Sequence, residues 1–217
     1  VYKSKSRKYI LIGSSSTMAD EFQILDANTP DAEFELFSKR RRGLEYNLAH
    51  YKDAFYILTN KDGAQNFKLM KTGVTSTSEE NWEDVIPHRK EILLEGLDIF
   101  KDFLVTSERY NGLTRIRVQK WDESDDYYLP FSSETYTAST TTNVDFDTQK
   151  LRYVYNSLTQ PSSVIEFDMV AKTEVTLKEQ EVQDDSFDKD NYISERVWAT
   201  AKDGTKIPVS LVYKKGL

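Results

Sequence analysis

Apolar and polar positions alternate along most of this chain in short runs, broken by clusters of Gly, Asn, Asp, Pro and Ser. Four stretches line up with one another: KYILIGSSSTMADEFQILD from Lys8, DAFYILTNKDGAQNFKLMK from Asp53, DFLVTSERYNGLTRIRVQK from Asp102 and LRYVYNSLTQPSSVIEFDM from Leu151. Their starts lie 45, 49 and 49 residues apart. In each, a β-rich run passes through a polar turn into a second alternating run, which predicts an antiparallel hairpin. The turn chemistry agrees, with NKDG at 60–63, YNG at 110–112 and TQPSS at 159–163. A third run follows each hairpin: FELFSK from Phe34, WEDVIP from Trp82, YYLPFS from Tyr127 and EVTLKE from Glu174. A fourth precedes three of them: LEYNLAH from Leu44, LLEGLDIF from Leu93 and NVDFDTQ from Asn143. Four short strands at this period predict the blades of an all-β propeller, with repeats near 1–42, 43–92, 93–136 and 143–182. No segment sustains a helical apolar stripe over three turns, which sets aside solenoids of helix pairs.

Beyond Val182 the pattern changes. QDDSFDKDNY, at 183–192, is acidic and poor in apolar residues and reads as a linker or hinge. In YISERVWATAKDGTKIPVSLVYKKGL, two alternating runs at 194–199 and 206–212 flank Asp203 and Gly204, which predicts one more hairpin. That hairpin does not match the repeat. Residues 193–217 are therefore expected to open a second domain, and both ends of the chain read as cut.

Composition narrows the classes. Aromatic residues make up 12%, including 13 Tyr and 11 Phe, a balance suited to pleated, half-buried surfaces. A net charge of −7 argues against a nucleic-acid surface, which needs a basic excess to neutralise phosphates. The basic run from Lys39 to Arg42 is read as a solvated or internally paired face. The absence of Cys excludes disulfides and thiolate metal sites. No stretch approaches the roughly 18 continuous apolar residues that suggest a membrane span, and Tyr9 to Ile12 is too short for the apolar region of a signal peptide.

Candidate chemistry is sparse. A nucleophile elbow would read G-x-S-x-G; the nearest sequence, GSSST at 13–17, has Thr17 in the place of the second Gly and falls at a predicted hairpin turn. The two histidines, His50 in LAHYKD and His88 in IPHRKE, lie in repeat segments and are read as strand-end or surface residues. Ser186 and Lys189 in SFDK formally match S-x-x-K, but Asp184, Asp185, Asp188 and Asp190 would keep the Lys charged. The same acidic run lacks the Gly and terminal Glu of a calcium loop and reads as solvated. WDESDDYY, at 121–128, reads as a polar loop, and Phe55, Tyr56, Phe103, Tyr153 and Tyr155 as core. No catalytic, cofactor-binding or metal residue is assigned.

The stretch YISERVWATAKDGTKIPVSLVYKKG resembles the entry into the catalytic domain of the prolyl oligopeptidase family of serine peptidases, and within it the oligopeptidase B (protease II) branch. EYNLAHYKDAFYILTNKDGAQNFKL, WEDVIPHRKEILLEG and LRYVYNSLTQPSSVIEFDM are similar to the propeller of that family, so the resemblance runs through essentially all 217 residues in order. It implies a seven-bladed propeller capping an α/β-hydrolase domain, a Ser-Asp-His triad, and cleavage of oligopeptides after Arg or Lys without a cofactor. On this resemblance the chain is the later part of the propeller followed by the first hydrolase strands, with the triad beyond Leu217. Its partners would be peptide substrates and the C-terminal α/β-hydrolase domain of the same chain, with no nucleic acid and no membrane. The expected compartment is the cytoplasm, with the periplasm open. The alternative class is a free-standing propeller that binds peptides or proteins. Uncovered sheet faces, together with Val197, Ile207, Val209 and Leu211 of the last hairpin, predict self-association of the fragment.

Overall fold

The computed structural model describes residues 1–184 and 186–216. They build four antiparallel four-stranded sheets and a final two-stranded one. The first sheet runs β1 (Tyr2–Lys3), β2 (Tyr9–Ser16), β3 (Ala19–Asp26) and β4 (Glu35–Leu36). The second runs β5 (Tyr46–Tyr51), β6 (Ala54–Thr59), β7 (Lys68–Gly73) and β8 (Glu83–Ile86). The third holds β9 (Ile92–Ile99), β10 (Phe103–Tyr110), β11 (Leu113–Lys120) and β12 (Asp126–Tyr128). The fourth holds β13 (Tyr136–Thr140), β14 (Lys150–Ser157), β15 (Ser163–Asp168) and β16 (Thr173–Glu179). The hairpin β17 (Tyr192–Thr200) and β18 (Lys206–Lys214) follows. Each four-stranded sheet is a meander in chain order, the form expected of propeller blades. Among the described residues no helix is long and apolar enough to cross a membrane.

The predicted turns at 60–63, 110–112 and 159–163 all join strands of these meanders. Asn111 and Gly112 take φ values of 50 and 78, the left-handed pair that closes a two-residue hairpin in the hand of sheet twist. The last hairpin turns at Asp203 and Gly204, where Asp203 Oδ1 accepts the Thr205 N–H at 3.0 Å.

Two expectations need correction. NVDFDTQ, from Asn143, is a loop, and the first strand of the fourth sheet is β13, seven residues earlier in the chain at Tyr136. The reason is local competition for backbone groups. Asp145 Oδ1 accepts the Asp147 N–H, and Asn143 Oδ1 accepts the Arg152 N–H, so Asx side chains take bonds that a strand ladder would use. In GSSST, Gly13 to Ser16 belong to β2 and only Thr17 begins the turn. Gly13 pairs across the ladder with Phe22, and a Cβ on residue 13 would stand 2.9 Å from the Phe22 ring. The glycine is there to admit that ring.

Compactness divides the chain into two units, Val1–Thr106 with Val144–Asp147, and Ser107–Asn143 with Thr148–Leu217. In the first, Leu11, Phe22, Ile24, Phe37, Leu44, Tyr46, Leu48, Phe55, Ile57, Met70 and Trp82 form one buried cluster. β6 is buried on both faces, with Phe55 and Ile57 on one and Leu58 on the other, so its sequence loses the alternation of a half-exposed strand. Phe55 is fully buried, and burying a side chain of that size contributes about 1.5–3 kcal/mol. In the second unit, Ile116, Val118, Leu151, Ile165, Phe167 and Met169 are buried, and the Tyr136 hydroxyl donates to the Thr114 carbonyl at 2.8 Å. β16 is exposed throughout, as befits an outermost strand.

Candidate functional site

His50 is a buried titratable side chain with a serine hydroxyl beside it. It lies at the end of β5, as expected, but its ring is buried and not at the surface, because β5 turns Tyr46, Leu48 and His50 inward together. Tyr9 and Phe55 flank the ring at centroid distances of 4.7 and 5.2 Å. His50 Nδ1 and Ser6 Oγ share a hydrogen bond of 2.7 Å, and no sequence motif announces this Ser–His pair. Burial, reinforced by the Lys8 charge, pulls the imidazole down to about 4. The pair is not a catalytic dyad. Nε2 has no hydrogen-bond partner, so no carboxylate orients the ring, and so weak a base would be neutral but poor at accepting a proton.

The other candidates sit apart. His88 Nε2 accepts the Asn66 N–H at 3.3 Å. The Ser186 hydroxyl donates to Asp184 at 2.7 Å instead of meeting Lys189, and its neighbour Asp185 lies outside the described residues. Asp188 caps a 3-10 turn at 189–191 by accepting the Asp190 N–H at 2.9 Å. Hydrogen bonds from the Ser186 hydroxyl and N–H hold the Asp184 carboxyl below its ordinary range. Arg40 donates to Ser14 and Arg41 pairs with Glu79 at 3.0 Å, so half of the basic run is tied to the fold. Tyr127 and Tyr128 of WDESDDYY lie in β12, while Trp121 to Asp125 form the turn before it. Phe55, Phe103, Tyr153 and Tyr155 are buried and Tyr56 is half-buried, as core residues should be. Among the described residues no three His, Asp or Glu side chains gather as a metal site requires.

What the structure does assemble is a docking junction within the second unit. One face of the β17–β18 hairpin carries Ser194, Arg196 and Trp198 on one strand, paired with Val212, Ser210 and Pro208 on the other. This face meets the turn of Asn111 and Gly112 and the entry to β13. Arg196 Nη2 donates to the Asn111 carbonyl, the Arg196 N–H reaches Glu134 Oε2 at 3.3 Å, and the Thr135 hydroxyl donates to Ser194 Oγ at 2.8 Å. Beside them lies a crevice of about 200 Å³ lined by residues 135–137, 156–158 and Ser210. Phe131, Tyr136 and Tyr155 stack near it, with Phe131 and Tyr155 centroids 5.6 Å apart. Burial raises the Tyr136 hydroxyl pKa, and the positive charges of Arg115 and Arg196 act the other way. The opposite face of the hairpin, with Val197, Ala199, Ile207 and Leu211, is exposed. Such an arrangement is suited to binding and positioning, its Thr135 and Ser194 hydroxyls being bonded to each other.

Comparison with known proteins gives this arrangement a context. Residues 1–180 match the family described as "Prolyl oligopeptidase, N-terminal beta-propeller domain". Dipeptidyl aminopeptidase BI of Pseudoxanthomonas mexicana is 38% identical over 98% of this chain and 29% of its own length. Protease 2 of Moraxella lacunata is 29% identical over 100% of this chain and 30% of its own. Oligopeptidase B from Leishmania major superposes with a TM-score of 0.89 at 28% identity, covering 100% of this chain and 32% of that one. The chain thus spans under a third of the length of the relatives it matches.

Proposed function

Because the chain belongs to the prolyl oligopeptidase N-terminal β-propeller family, we propose that it is the substrate-gating, non-catalytic part of an oligopeptidase B-like serine peptidase. One observation carries the reading: similarity to the longer peptidases continues past the propeller match at residue 180 through the whole of the last hairpin. In this reading 1–182 belong to the propeller, 183–192 are the hinge, and 193–217 are the first strands of the α/β-hydrolase domain. That domain's sheet covers Val197, Ile207, Val209 and Leu211, and its triad lies outside this chain. Closing propeller on hydrolase completes the site and keeps folded proteins out. The substrates are oligopeptides cleaved after Arg or Lys. In the isolated chain the bare hairpin face brings copies together.

The name of the relative at 38% identity favours a second reading, in which the parent enzyme removes dipeptides from N-termini. The experiment is to express the parent protein with everything that adjoins this chain and assay three substrates: an internal Arg peptide, an internal Pro peptide and an N-terminal dipeptidyl amide. Cleavage after Arg that a serine-directed phosphonate blocks is the expected result. Dipeptide release selects the second reading. A parent with no peptidase activity, retaining peptide binding, overturns both in favour of a free-standing binding propeller.

A further inference from the structure

Arg196 carries a charge from the hairpin to the third sheet's turn. Its Nη2 donates to the Asn111 carbonyl, while its Nε is buried with no hydrogen-bond partner. The guanidinium lies 5.4 Å from the Trp198 ring centroid, one residue pair along the same face. Opposite it, Gly112 is bare for a reason. A Cβ there would stand 2.8 Å from Arg196 Nη2 and 3.7 Å from Pro208 Cγ, so the turn backbone and the hairpin are in direct contact. A buried guanidinium nitrogen left unsatisfied is costly, and a planar fork held on one carbonyl is a poor resting place for a permanent charge.

We propose that Arg196 is a latch, a positioning residue whose single charged hydrogen bond to the Asn111 carbonyl holds the hairpin on the propeller side and whose release lets the hairpin swing. This rests on the gating function proposed above for its consequence in the enzyme, where the latch would regulate opening, but not for the latch itself. Of the junction's other contacts, Thr135 with Ser194 is a neutral bond, and Glu134 accepts the Arg196 backbone N–H at a long 3.3 Å, a bond that a change of the Arg196 side chain leaves in place.

Hydrogen exchange of the 217-residue chain tests the latch directly. In Arg196→Ala, amides within 192–214 should exchange roughly 10- to 100-fold faster, the range expected for losing one charged hydrogen bond, while those of β2, β3, β5 and β6 keep their rates. Arg196→Lys should recover part of the protection, since it keeps the charge and loses the fork. Gly112→Ala should loosen the same amides from the other side, and its effect should shrink in the Arg196→Ala background, because the clash with Nη2 is gone. Unchanged exchange at 192–214, or equal acceleration in the first two sheets, overturns the latch. In the parent enzyme, Arg196→Ala should alter kcat and KM together for a long peptide and spare a minimal amide. Faster hairpin exchange with wild-type turnover on both would leave the latch standing and overturn its role in gating.

Discussion

Ser6 and His50, 44 residues apart in sequence, share a 2.7 Å hydrogen bond that ties the β1–β2 loop to the buried inner side of β5. The imidazole is neutral because burial and Lys8 oppose its charge, while the Lys52 backbone and then Asp26 and Asp53 favour it less strongly. Its pKa falls from 6.5 to about 4, and the sign of the linkage follows. The unfolded chain binds the proton more readily, so this residue's contribution is complete above pH 6.5 and is lost as pH falls through about 4. Denaturation midpoints between pH 7.5 and 4 should therefore fall less steeply in His50→Phe than in the wild-type chain. Parallel curves would remove His50 as a source of acid sensitivity.

Glu108 offers a sharper test of buried charge. Its side chain is 0% exposed, it accepts the Tyr128 hydroxyl at 2.8 Å, and the Arg117 guanidinium stands 4.0 Å away while gripping Asp126 at 2.7 Å. Arg117 keeps its Asp126 partner when Glu108 is removed, but the Tyr128 hydroxyl loses this acceptor, so Glu108→Ala should cost about 1–3 kcal/mol in urea unfolding. Glu108→Gln keeps shape and an acceptor and should cost less. Equal losses would mean that packing, not charge, dominates there.

Gly13→Ala should destabilise the first sheet by about 1–3 kcal/mol, the usual cost of overpacking. The Phe22 ring that the new methyl would strike is itself 5% exposed and cannot swing into solvent. Phe22→Leu should relieve part of that cost, and thermal melts of the two single variants and the double variant give the coupling.

The 217-residue chain alone should not hydrolyse a fluorogenic Arg amide, since the Ser6–His50 pair lacks an orienting acid. Turnover that a serine-directed phosphonate abolishes would place a nucleophile within the chain.

Light scattering across a dilution series should report self-association that weakens when residues 193–217 are deleted. Val197 is 41% exposed, Ile207 45% and Leu211 37%, and they share one face of the hairpin. A chain that stays monomeric at high micromolar concentration with its hairpin ordered would defeat this prediction.

The sequence by itself determined the strands, their meander order and nearly every turn. Those features depend on contacts a few residues apart: alternation with a period of two, left-handed positions at Asn111 and Gly112, and Asx chemistry at Asp203. It also marked the last hairpin as a departure from the repeat. Only the tertiary structure decided which alternating runs found a ladder partner, and so moved the start of the fourth sheet from Asn143 to Tyr136. It alone buried His50 beside Ser6 and set Arg196 on the carbonyl of Asn111, 85 residues away. Such pairings leave no periodic trace, because a side chain's burial depends on what a distant segment brings to its face, and that is settled only when the sheets pack.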